Sequence, residues 1–555
     1  MKRRTWLSLA MALIGSAMLL AAVFANTASS ASKSSAQKNG GTFRWDYVGD
    51  LDYIDPQLAY FNHTWMILDA TNLHLLGYPD KEGTEGTKLR GEAATGLPAV
   101  SKDGKTYTFK IKKGFKFSDG KPVTAKNFAF ALNRCFDPQL QSPGAQFLSE
   151  VVGGQAVLDG KAKTASGIKT PDDYTLVVTL DKTAPDFLAR MTMAFFVATP
   201  LNFGSTEVNK PYPSAGPYIL KEFTPGRSAL LVRNPNWDNT KEPWKSLQRP
   251  AYLNQIQINL GIAEEASRLR IESNETDLAA SIPPSAYTEI AEKYGVNKGR
   301  LQVRKSQVLW YLALNQEQPL FKDNEKLRQA INWAIDRPHL VRQTGFLSGT
   351  KTDQILPPSM PGYFNWAIYP VKGVTAQSLA KAKSLADGNL RGGTAVFYAA
   401  NQIAARNIAQ VVQFNLKQIG LNVDIQIYER TVQHQKTATR GEKFDMTLEG
   451  WGADYPDPRN FLDVLVSGDY LQEENNVNVS YVNNPAFNER FVKLATMTGD
   501  DRLQGYAELD RDVTKAGSYA PIRVATQRFF LSSSVGQFVV NPVHTNPNLV
   551  AISKK

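Results

Sequence analysis

Between residues 403 and 419 the chain sets Ile408, Val411, Val412, Leu416 and Ile419 on one helical face. Directly after Gly420 it turns into an apolar strand over 423–428. A helix with a single apolar stripe, followed at once by a β-branched strand, must bury the two against each other. That prescribes a layered α/β architecture in this region. Gly420 is placed to end the helix as a C-terminal cap. A second amphipathic helix is expected over 324–335, where Leu327, Ile331, Ala334 and Ile335 share a face.

The earlier part of the chain reads mainly as strands. Gly40-Gly41 leads into the aromatic run 42–45, and residues 106–111 alternate with period two. A short strand is expected at 115–117, ahead of an Asp119-Gly120 turn. Thr124 then stands as N-cap of a helix from Ala125 to Cys135. Residues 174–180 and 253–260 are further strands, and 528–540 is again aromatic and β-branched. The expected fold class is therefore α/β, with a β-rich first region, an α/β second region and a tail that rejoins the first. At roughly 150 residues per domain, 555 residues allow about three or four domain-sized units. No repeat of solenoid or propeller period is present.

The formal net charge of +11 invites a polyanion-binding reading until its location is traced. Five of the 63 basic residues, and none of the 52 acidic ones, fall within 1–38, so the remainder is nearly balanced. Lys2-Arg3-Arg4 precedes an apolar run over 6–24, with Val23 and Ala25 at the −3 and −1 places before Asn26. Basic, apolar and small-residue regions in that order form an export signal. The expected division is a cleaved signal over 1–25, followed by a polar tether over 26–39. With Cys135 as the single cysteine, an N-terminal lipid anchor and a disulfide framework are both excluded. Cys135 itself, on the expected helix, reads as a small buried hydrophobe. The expected location is periplasmic or extracellular, without nucleic acid as partner.

Few residues offer catalytic or metal chemistry. His63, His74, His339, His434 and His544 show no metal-ligand spacing, and neither a nucleophile elbow nor a phosphate loop is present. No metal or cofactor is expected. The most informative stretch is Leu448-Glu449-Gly450-Trp451-Gly452-Ala453-Asp454-Tyr455-Pro456-Asp457-Pro458. Its glycines and prolines forbid regular structure while holding two aromatics and two carboxylates close together. A rigid loop of that kind suits a ligand with an ammonium group and apolar parts. The competing reading is a secreted hydrolase of peptides or glycans that uses Asp454 and Asp457 as paired acids.

Several segments in order resemble the family 5 extracellular solute-binding proteins, the receptors of peptide/nickel-type ABC importers. Phe115-Lys116-Phe117-Ser118-Asp119-Gly120-Lys121-Pro122-Val123-Thr124-Ala125-Lys126-Asn127 is similar to the family signature, with Asn127 where Asp is usual. Ala215-Gly216-Pro217-Tyr218 with Arg233-Asn234-Pro235-Asn236-Trp237, and Glu275-Thr276-Asp277-Leu278-Ala279, match two further segments. Asn315 through Leu327-Arg328-Gln329-Ala330-Ile331 to Ala334-Ile335-Asp336-Arg337 and Trp451-Gly452-Ala453-Asp454-Tyr455-Pro456-Asp457-Pro458 complete the set.

The resemblance implies a two-lobed periplasmic-binding-protein fold, type II and cluster C-like, with an enlarged β-rich first lobe. The implied division is a first lobe over 40–308 with an extra subdomain, a second over 309–521, and a return of 522–555 to the first. It further implies a monomeric, non-enzymatic receptor that takes a peptide or other small solute to the membrane subunits of an ABC permease. Asp454 would pair with the ligand's α-ammonium group. Trp451, Gly452 and Tyr455 would flank it, and Tyr47, Asp50, Asn401 and Gln402 would lie in loops facing the cleft. Leu448 stands where some oligopeptide binders place a carboxylate-binding Arg. Trp45 and Trp310 are expected as core or cleft-wall aromatics.

Overall fold

The computed structural model describes residues 40–204, 209–279 and 281–555. The expected signal and tether lie outside the described residues. The long helix forms as Ile403–Lys417, burying Ile408, Val412 and Leu416, and Gly420 follows at φ +86°. It crosses between two parallel strands, Thr394–Ala400 and Asn422–Tyr428, a βαβ unit in which the helix covers one sheet face.

These strands open one large mixed sheet. In spatial order it runs Asn422–Tyr428, Thr394–Ala400, Met446–Trp451, Leu301–Leu314, Tyr519–Leu531, Leu278–Ala279, Thr42–Asp46, Gln255–Asn259, Ser228–Arg233 and Tyr218–Thr224, with Gly349–Lys351 added beside Tyr519–Leu531. Apolar packing divides the sheet between two lobes. Residues 43–278 join 529–552 in one core, and residues 309–524 build two others. Leu301–Leu314 and Tyr519–Leu531 are the long members, and Tyr519–Leu531 pairs with strands of both lobes.

The first lobe also carries a four-stranded antiparallel sheet of Ala99–Val100, Thr106–Lys110, Thr175–Thr179 and Ile168–Asp172. The helix Ala125–Cys135 packs on it and starts as foreseen. Thr124 and Asn127 form a reciprocal capping box, with the Thr124 amide donating to Asn127 Oδ1 at 2.9 Å. Cys135 is fully buried, and burial pushes its thiol up to about 12.

Two local expectations change. Residues 115–117 form no strand beyond an isolated Lys116–Pro122 bridge. Phe115 and Phe117 are buried, and the tight turn leaves too little length for a ladder. The C-terminal strand is Tyr519–Leu531, earlier than the run 528–540 predicts. Ser532 and Ser534 hydroxyls bond Asp277 at 2.8 and 2.7 Å and draw the chain out of the ladder. Val535, Val540, Val550 and Ile552 then pack into the first lobe without a further strand.

Candidate functional site

A cavity of about 450 Å³ lies between the lobes. Tyr47, Tyr60 and His63 line it from the first lobe, and Arg430, Trp451 and Asp454 from the second. Tyr47 follows directly on the strand Thr42–Asp46, and its ring stacks on that of His63 with centroids 4.1 Å apart. Burial holds the His63 imidazole neutral, at about 4. Trp45 is buried at the back of the same wall, and Trp310 lies over the backbone of Gly450, as cleft-wall aromatics should.

Asp454 is set by the end of Met446–Trp451 and the start of Arg459–Val466, between which Pro456 and Pro458 forbid regular structure. Asn460 holds it at both ends. Asn460 Oδ1 accepts from the Asp454 amide at 2.7 Å, and Asn460 Nδ2 donates to Asp454 Oδ2 at 2.9 Å. From the other lobe, Tyr60 Oη donates to the same Oδ2 at 3.1 Å. Oδ1 accepts no hydrogen bond from any described residue. Asp454 is 5% exposed, and among the described residues no cation acts on it. Desolvation therefore pushes its carboxyl up to about 7, against the opposing pull of Asn460 and Tyr60. Trp451 donates Nε1–H to the Asn460 carbonyl at 2.7 Å, and its ring meets Tyr60 edge-on at 5.7 Å. A Cβ on Gly452 would come within 3.2 Å of Asn62 Nδ2, so this wall admits no side chain without displacement.

Asp454, Trp451, Gly452, Tyr47 and Gln402 thus line one cavity; Tyr455, Asp50 and Asn401 do not. Tyr455 is buried in the first lobe's core, where its hydroxyl donates to Asp186 Oδ2 at 3.0 Å. Beside it Arg459 reaches Glu150 at 2.7 Å, so this end of the loop ties the lobes together. Asp50 caps the amide of Leu51, and Asn401 is exposed and accepts from Arg406. Asp457 is clamped by both Arg502 amino groups at 2.8 and 2.9 Å and lies off the cavity, so it does not face the cavity beside Asp454.

Sequence reasoning missed the charged floor. Glu449, on Met446–Trp451, is buried and receives Arg430 bidentately at 2.7 and 3.1 Å, with Gln433 donating at 2.9 Å. Burial opposes its ionisation, but Arg430 and His434 prevail and hold the carboxyl below its usual range. The pair spans two elements 19 residues apart, and nothing in sequence signals it. Among the described residues no group of three or more His, Cys, Asp or Glu is placed to hold a metal ion, and no helix is long and apolar enough to cross a membrane.

Comparison with known proteins agrees with this architecture. The family model for bacterial extracellular solute-binding proteins, family 5 Middle, matches residues 88–472. The periplasmic oligopeptide-binding protein OppA of Escherichia coli K12 is 27% identical over 471 residues, covering 80% of this chain and 81% of the relative. Among solved structures, the Escherichia coli murein tripeptide binding protein MppA aligns with a TM-score of 0.81 at 22% identity, over 94% of this chain and 100% of that one. Haemophilus influenzae OppA in complex with the peptide RPPGFSPFR aligns at 0.78 and 20% identity, over 93% and 99%.

Proposed function

Because the chain belongs to the family 5 bacterial extracellular solute-binding proteins, we propose that it captures a peptide or peptide-like solute between its lobes and delivers it to an ABC importer. The observation that carries this reading is Asp454, a buried cavity carboxylate with one oxygen that lacks a donor among the described residues. In a closed, water-poor cleft such a group is a poor resident by itself and a good partner for an ammonium ion. A peptide's N-terminal ammonium satisfies it, while Trp451, Tyr47 and Tyr60 supply apolar and aromatic surface for the rest of the ligand.

Capture follows from differential affinity. A ligand that touches both walls stabilises the closed arrangement over the open one and shifts the population accordingly. We take 40–308 and 309–521 as the moving lobes and 522–555 as the return segment. The division of the apolar cores supports this partition. The protein acts as a monomeric, non-enzymatic receptor in the periplasm or outside the cell, after removal of the signal. Its partners are the membrane subunits of the permease. The hydrolase alternative loses its second acid, because Arg502 holds Asp457 away from the cavity.

The test is mass spectrometry of material released by denaturation from natively purified protein, followed by thermal titration with the species found. An unaltered peptide, bound one-to-one and raising the melting temperature with concentration, is the expected result. Fragments formed under turnover, or no stabilisation by any peptide, would overturn the reading.

A further inference from the structure

Two arginines that Asp454 recognition leaves unused line the same cavity. Arg523 and Arg528 stand on Tyr519–Leu531, the strand shared by the two lobes. Arg523 is in register with Trp310, and its guanidinium carbon lies 5.5 Å from that ring's centroid. One of its amino groups donates to the Ser348 carbonyl. Arg528 lies over Tyr287 at 3.7 Å and donates Nη1–H to the Phe346 carbonyl at 2.8 Å.

A guanidinium has five N–H donors, so these single protein bonds leave most of each group unused. Among the described residues neither guanidinium forms an ion pair with a carboxylate; Arg528 is the charge that acts on Arg523, and Tyr287 the group that acts on Arg528. Burial accordingly pulls Arg523 down to about 9 and lowers Arg528 as well. The acids in the cavity wall are directed elsewhere. Glu449 holds Arg430, Asp52 accepts from Thr64 and Phe61, and the cation acting on Glu264 is Arg406.

Arg523 is buried and Arg528 half-buried, and arginines buried elsewhere show the contrast. Arg134, Arg190, Arg459 and Arg502 each hold a carboxylate. Arg337 has none, but donates to the carbonyls of Thr352, Pro521 and Asn332 and to the Asn332 side chain, and it lies off the cavity. Only Arg523 and Arg528, among these, combine an unmet charge with a place in the cavity wall.

We propose that Arg523 and Arg528 form an anion subsite that selects a ligand carrying a carboxylate in addition to the amine read by Asp454. The inference rests on the receptor reading above and names its substrate class as a two-poled solute. A planar, bidentate guanidinium suits a carboxylate, and the buried Arg523 disfavours a neutral end that leaves its donors unsatisfied.

The experiment exposes wild type and the R523Q/R528Q double variant to a mixture of random tripeptides, supplied as free acids and as C-terminal amides. Bound peptides are released by denaturation and read by mass spectrometry. Wild type is expected to prefer free acids by at least about thirtyfold, the loss typical of removing one partner of a buried charge pair. The double variant should lose that preference while keeping a cooperative melt. Amides with Asp or Glu side chains, if retained, identify a side-chain carboxylate as the source; amides without any acid must not be. Equal capture of uncharged-end amides by wild type, or an unchanged acid preference in the double variant, would overturn the proposal. Should wild type capture no peptide of either form, the peptide reading fails. The subsite then rests on thermal titration with succinate and glutarate: a rise confined to wild type supports it, and none overturns it.

Discussion

Tyr60 Oη and Asp454 Oδ2, one from each lobe, lie 3.1 Å apart in a hydrogen bond that joins the two lobes at the cavity wall. The bond, with that from Asn460, only partly offsets burial, which holds the Asp454 carboxyl at about 7. An ammonium ligand completes the set and favours the ionised form, so binding near neutral pH should release a proton. Calorimetry in buffers of different ionisation enthalpy reads that release directly. Affinity should fall as pH drops below about 7. Asp454→Ala should cost about 3–5 kcal/mol for a cationic ligand, as removal of one buried partner does.

The same group makes a prediction for the ligand-free protein. Its carboxyl takes up a proton more readily folded than unfolded, where it titrates near 3.8. Protonation therefore favours the fold, and stability rises as pH falls from about 7 towards about 4. Asp463 and Asp510, also pushed up to about 7 by burial, add to the trend. Asp454→Asn should remove one share of this slope in denaturant melts at pH 5 and pH 8. An unaltered slope would contradict the assigned environment.

Tyr455 is expected to behave as a structural residue. Removing its hydroxyl with Tyr455→Phe leaves Asp186 Oδ2 without that donor, at a cost of about 1–3 kcal/mol in stability. Ligand affinity should hold to within about twofold, since the side chain lies outside the cavity. Lost affinity at unchanged stability would return Tyr455 to the site.

Arg430 compensates Glu449 in the cavity floor. Arg430→Gln strands a buried carboxylate and should destabilise by about 3–5 kcal/mol at neutral pH. The loss should shrink on acidification as Glu449 becomes protonated. A pH-independent effect would show that packing, not charge, decides this position.

Cys135 should resist alkylation at pH 8 in the folded protein and react fully in denaturant, as intact mass would record. Its thiol is buried and titrates at about 12, far above the pH of the experiment.

Legibility followed the range of the interaction involved. Period and punctuation carried the helix Ile403–Lys417, the cap Thr124 and the strand Thr106–Lys110, because each depends on neighbours within a few residues. The loop around Asp454 was visible because its prolines, glycines and aromatics are contiguous. Which of its members face the cavity was not: Asp454 and Tyr455 are adjacent, yet one lines the cavity and the other enters the first lobe's core. Asp50 and Asn401 lie off the cavity for the same reason, since loop position says nothing of side-chain direction. Arg523 and Arg528 were hidden inside an ordinary β-branched strand.

The sequence by itself determined the α/β layering, the family, the buried role of Cys135 and the loop that holds the carboxylate. Tertiary structure alone decided which charges are met and which are left over. Arg502 takes Asp457, Arg430 takes Glu449, and Asp454, Arg523 and Arg528 face the cavity without an oppositely charged partner among the described residues. The physical reason is that compensation of a buried charge depends on separations of a few ångströms between residues far apart in the chain, which no local pattern encodes.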